Sequence, residues 1–209
     1  EPEIRKEKTK TSADEFLKIL KDINLFRMNF GIFVLHATQI SMFMTIPIYL
    51  VNQGGINLSD HWQIYLPVLF FSFLLMIPII IFSEKFNKIK IAFLSSIIIL
   101  FVAQLVFIIF GNTLFGIILA LLIYFVGFNF LEAFLPSLVS KIAPINKKGL
   151  ALGVYNTSQS LGIFVGGALG GLITKVYGYN ASFIFCIALI FLWFVLSLGM
   201  KVGNYKKAN

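Results

Sequence analysis

LFGIILALLIYFVGFNFLEAFLPSLVSK, Leu114 to Lys141, is an apolar run long enough to cross a bilayer as one helix, which takes roughly 20 residues. Glu132 sits deep inside it, with Asn129 one turn before and Pro136 one turn after. A carboxylate at that depth costs several kcal/mol unless it is neutral, paired or turned toward water. Pro136 has no N–H, so in a continuing helix the Glu132 carbonyl loses its usual donor. A break of this kind is tolerated where neighbouring helices, polar side chains or water satisfy the freed group. Acid, amide and interrupted backbone thus coincide within two turns, which marks a site and not a plain anchor.

Working outward, the 209-residue chain is 58% hydrophobic and 12% charged, with mean hydropathy +0.91. That much apolar surface takes the bilayer as its solvent. Six apolar spans are predicted, at about 25–50, 62–82, 89–110, 113–140, 150–174 and 181–200, in an all-α integral membrane bundle. A charged linker over 1–24 precedes the membrane domain at 25–200, and a short tail over 201–209 follows it. The chain does not begin with Met, which predicts an upstream portion. Within the linker, Ser12 and Glu15 have capping-box spacing for a short amphipathic helix whose lysines suit anionic headgroups.

The net charge of +8 could suggest nucleic acid, but the basic residues lie in the gaps between apolar runs. Of the 17 Lys and Arg, all but Lys175 fall on one side of the six-span topology, so both termini are predicted cytoplasmic. Nucleic acid is therefore not an expected partner; the lipid bilayer is. Cys186 is the single cysteine, which excludes an intrachain disulfide and a cysteine metal cluster. The sequence has no P-loop, HExxH or GxSxG, and no Asp within any span, so neither an enzyme, a metal centre nor a cofactor is expected.

Polar residues concentrate in spans one, four and five, and polar side chains in a membrane face the bundle interior or a wet cavity. Glu132 can take a proton from one side and release it to the other, or pair with a cationic substrate; alternatively it is a permanently neutral packing group. His36, near Gln39 and two turns from Asn29 on the first span, either relays protons or is a satisfied interior histidine. Gln39, Phe43, Tyr124, Phe128, Asn129, Tyr155, Asn156 and Gln159 are the expected cavity lining. Gly149, Gly153, Gly162, Gly166 and Gly170 form a small-residue ridge suited to close helix packing, and equally to a sliding interface. Glu84, Lys85 and Lys88 crowd the loop between spans two and three, where Glu84 could dock at a helix N-terminus.

The six spans, the loop SEKFNKIK and the stretches GLALGVYNTSQSLGIFVGGALGG and NFLEAFLPSLVSKIAP resemble the C-terminal half of a major facilitator superfamily transporter. The likeness is nearest the YajR-like, drug:proton antiporter branch of bacterial inner-membrane proteins. The resemblance implies half of a 3+3 inverted-repeat fold, working by alternating access with an N-terminal half absent here. It implies proton-coupled export of small amphipathic compounds across the inner membrane, with protons and a small molecule as partners. It makes Glu84, Lys85 and Lys88 a cytoplasmic gating loop, and matches Glu132 to an acidic position of the branch. The competing expectation is a non-transporting six-span scaffold or subunit, in which Glu132 and the glycines serve packing alone.

Overall fold

The computed structural model describes residues 13–200. The charged lead-in, the Ser12 cap with its Glu15 side chain, and the tail over 201–209 lie outside the described residues. Seven α-helices follow in order: α1 Ala13–Lys21, α2 Ile23–Asn52, α3 Trp62–Lys85, α4 Ile89–Phe110, α5 Leu114–Ile142, α6 Lys148–Tyr177 and α7 Tyr179–Leu198. The last six are long and apolar enough to cross a membrane, and they coincide with the predicted spans to within a few residues.

Local chemistry explains where the helices begin and end. Asp22 caps α2: its carboxylate accepts from the N–H groups of Asn24 at 2.8 Å and Leu25 at 3.0 Å. Thr113 caps α5 by accepting from the Gly116 N–H at 3.1 Å. Asn87 turns the chain between α3 and α4 with φ of 52°, a left-handed conformation that Asn tolerates, while the Lys88 N–H donates to the Ser83 carbonyl. The side chain of Lys88, the residue preceding α4, makes no capping bond to that helix. Gly178, at φ of 84°, joins α6 to α7 without an intervening loop, a conformation in which a Cβ is strained. Pro136 does not end α5, which runs unbroken to Ile142.

The six long helices form two consecutive triplets, α2–α4 and α5–α7, whose members interleave so that the main contacts run between triplets. The main pairings are α2 with α6 and α3 with α5, α4 with α5 and α2 with α7, then α4 with α7 and α2 with α5. Exchanging α2 for α5, α3 for α6 and α4 for α7 swaps the first two pairs of pairings within themselves and leaves α4 with α7 and α2 with α5 unchanged, as an inverted repeat requires. The centre is made by α2 and α5, the two most buried spans, whereas α3 and α6 have the least covered surface.

Lipid supplies no hydrophobic drive between helices, so close packing and hydrogen bonds must do that work. The tightest seam joins α2 to α6. A Cβ built on Gly162, Gly166 or Gly170 would lie 2.3 to 2.7 Å from backbone or Cβ-region atoms of Phe33, Ala37 and Ser41. The Ser41 hydroxyl donates to the Gly166 carbonyl at 2.9 Å across the same seam. Gly149 and Gly153 correct the sequence expectation: a Cβ on either meets nothing within 4 Å, because their side of α6 looks away from α2. The packing ridge therefore starts at Gly162. At the Lys-rich end, Arg27 of α2 and Lys90 of α4 donate to the Gly199 and Leu198 carbonyls, each at 2.8 Å, and so satisfy the last groups of α7.

Candidate functional site

Three helices bring three polar side chains together inside the membrane span. The Glu132 carboxyl of α5 lies 3.8 Å (Oε2 to Nε2) from His36 of α2. The Gln159 amide nitrogen of α6 stands 2.8 Å from His36 Nε2 and donates to Glu132 Oε1 at 3.5 Å. Each is delivered by ordinary helix geometry: His36 is one residue from Ala37, which the Gly166 seam holds against α6, and Gln159 is one turn before Gly162 of that seam. Close backbone approach at the glycines thus sets the reach between imidazole and amide.

The cluster is neither sealed nor turned wholly to lipid. The His36 side chain is 8% exposed and that of Glu132 is 38% exposed. Glu132 thus has a buried oxygen beside the imidazole and an open route to the surface. Its Oε2 and the Tyr155 hydroxyl are both buried without a hydrogen-bond partner among the described residues. The Phe128 ring meets the imidazole edge-on at 5.7 Å between centroids and gives the cluster an apolar wall.

Other predicted lining residues divide. Tyr124 is fully buried, with its hydroxyl against Thr38 Oγ1 at 3.2 Å and the Leu35 carbonyl at 3.4 Å; it ties α5 to α2 and does not line a cavity. Asn129 is buried too, and its amide donates to Ser72 Oγ at 2.9 Å, tying α5 to α3. A buried amide in hydrocarbon needs such a partner, which is why these two point into helix contacts. Phe43 packs its ring with those of Tyr65 and Phe125. Asn156 is exposed on α6 and Gln39 is half-buried on α2. Asn29 lines a crevice of about 350 Å³ between α2 and α6 together with Ser158, its Oδ1 buried and unpartnered among the described residues.

Of the predicted loop residues, Glu84 and Lys85 lie in the last turn of α3 and only Lys88 falls between α3 and α4; all three are exposed, and the Lys85 ammonium stands 5.8 Å from the Phe86 ring centroid. No group of three or more His, Cys, Asp or Glu side chains able to hold a metal occurs among the described residues. The role of Ser72 was not foreseen from the sequence. A lone serine in an apolar span gives no sign of which helix it will meet.

An inverted repeat of two three-helix units, with its polar residues gathered on the central helices, defines half of a secondary transporter. Comparison with known families agrees: the Major Facilitator Superfamily profile matches residues 1–167 and 135–207, and the chain belongs to that superfamily of membrane transporters. It is 35% identical over 190 residues to the inner membrane transport protein YajR of Escherichia coli (strain K12), covering 91% of this chain and 42% of that protein. It is 30% identical over 190 residues to an uncharacterized transporter of Buchnera aphidicola subsp. Baizongia pistaciae, covering 90% of this chain and 48% of the relative. A shorter match, 30% identical over 78 residues, is to the multidrug resistance protein MdtG of Proteus mirabilis, covering 36% of this chain and 19% of the relative. The chain spans about half the length of the curated relatives it matches.

Proposed function

We propose that this chain is the C-terminal half of a proton-coupled exporter of small amphipathic compounds, with Glu132 as the group that carries the proton or meets a cationic substrate. The observation that supports this most is the half-exposed Glu132 carboxyl, held beside His36 and Gln159 within the span. A packing carboxyl would be closed off on all sides, since hydrocarbon penalises every open polar group. This one keeps an open side and a free buried oxygen. Similarity to proteins named as an inner membrane transport protein and a multidrug resistance protein supports transport, and the second supports export.

In this reading α2, α5 and α6 turn the cluster toward a central path completed by the other half of the transporter. Proton uptake by Glu132 from one side and release to the other drives alternation, with the neutral His36 ring walling the buried side of the carboxyl. Phe128 offers an apolar surface to the substrate beside the charge. The loop bearing Glu84, Lys85 and Lys88 contacts the other half on the cytoplasmic side. The test is Glu132→Gln in the full-length transporter, reconstituted in proteoliposomes with an imposed pH gradient. Expected is loss of pH-gradient-driven efflux with the protein still folded; transport with unaltered pH dependence removes Glu132 from the mechanism.

A further inference from the structure

His36 can be assigned a tautomer from its contacts. Its Nδ1 lies 3.3 Å from the Ile32 carbonyl oxygen. A carbonyl only accepts, so Nδ1 carries the hydrogen, and in the neutral ring Nε2 is a bare lone pair. The group at 2.8 Å from that lone pair is the Gln159 amide nitrogen, which only donates. The same nitrogen has a second hydrogen and uses it toward Glu132 Oε1 at 3.5 Å. One primary amide therefore donates to both members of an acid–base pair.

That arrangement constrains where a proton can go. Glu132 can be ionised or can hold a proton on its free oxygen Oε2, and in either state Oε1 still accepts from the amide. His36 has no such latitude. A proton on Nε2 would face the amide hydrogens, donor against donor, so the imidazolium forms only if Gln159 turns its oxygen inward or leaves. Turning the oxygen inward sets it against Glu132 Oε1, which is acceptable only where that oxygen itself bears the proton. Imidazolium beside carboxylate, the state that a 3.8 Å separation would otherwise favour, is therefore the one arrangement the bridging amide opposes. The other titratable side chains near the pair are Tyr155 of α6 and Tyr124 of α5, both within electrostatic reach of Glu132, and Cys186 of α7, within reach of Tyr124. Of these, Tyr124 is tied to Thr38 and Leu35, and the Cys186 thiol is turned to the Thr38 carbonyl.

We propose that Gln159 is a positioning residue that keeps His36 neutral in its Nδ1–H form, and so prevents His36 and Glu132 from collapsing into an ion pair. Its consequence for transport rests on the proton-coupling reading above: a carboxylate locked onto an imidazolium is no longer free to exchange its proton. The bridge itself does not depend on that reading.

The test is nitrogen NMR of the full-length transporter with ¹⁵N-labelled histidine, the His36 signal being assigned by its loss in His36→Gln. Expected in the wild type at neutral pH is the neutral Nδ1–H signature. In Gln159→Leu, or in Gln159→Met should the leucine variant fail to fold, His36 becomes charged at the same pH. Adding Glu132→Gln to that variant returns it to neutral, since the carboxylate that stabilises the imidazolium is gone. A charged or Nε2–H His36 in the wild type overturns the proposal, and so does a His36 that stays neutral without the amide. A wild-type result as expected, combined with normal pH-driven transport in Glu132→Gln, would keep the bridge and discard proton coupling through Glu132. The opposite pair of results would discard the bridge alone.

Discussion

At the scale of single residues, position in the membrane settles what a polar side chain must find. Tyr124 and Asn129 sit on the same helix as Glu132, yet they close onto Thr38 and Ser72 while the carboxyl stays partly open. Interhelical hydrogen bonds of this sort contribute about 0.6 kcal/mol on average in a membrane, with about 1.7 as the upper end. Tyr124→Phe is expected to fall in that range, because the Thr38 hydroxyl keeps its bond to the Leu35 carbonyl at 3.0 Å. Equilibrium unfolding in mixed micelles measures it, and a loss several times larger would mean that Tyr124 does more than tie two helices. Asp22→Ala should cost about 1 kcal/mol by uncapping α2, read in the same unfolding assay.

At the scale of helices, the α2–α6 seam is the contact on which the site depends. Gly166→Ala puts a methyl group 2.3 Å from the Ala37 carbonyl oxygen, and backbone cannot yield as a flexible side chain does. Overpacking of this kind costs about 1–3 kcal/mol, and the shift that relieves it carries Gln159 away from His36. Gly171, one residue past Gly170, meets nothing within 4 Å. Gly171→Ala should therefore be neutral, or stabilising by about 0.5–1 kcal/mol through helix propensity. Thermal unfolding of the two variants side by side decides it: equal effects would show that the seam is not tight. The glycine spacing was visible in the sequence from Gly149 onward, but only its second half lies against a partner. A helix surface carries small residues on more than one face, and nothing local says which face is covered.

At the scale of the molecule, the charge distribution predicts an orientation for the bundle. Lys85, Lys88 and Lys90 gather at one end, and Lys175 stands alone near the other. A membrane-impermeant maleimide should label Lys175→Cys in intact cells, and Lys85→Cys only after permeabilisation, in an otherwise cysteine-free full-length protein. Labelling in the reverse order would invert the topology and the direction assigned to every proton step. The scant burial of α3 and α6 belongs to this scale as well.

Composition and periodicity were enough to set six spans to within a few residues, because a bilayer demands about 20 apolar residues per crossing and places Lys and Arg asymmetrically between them; the family rested on the likeness of particular stretches. They also picked out Glu132, since an acid at that depth is costly wherever it points. They could not tell that Gln159, and not Asn129, would stand beside it, nor that Tyr124 would be core. Those outcomes turn on the rotation and register of one helix against another, which are decided where Gly162, Gly166 and Gly170 let two backbones touch. No spacing within a single span contains that information.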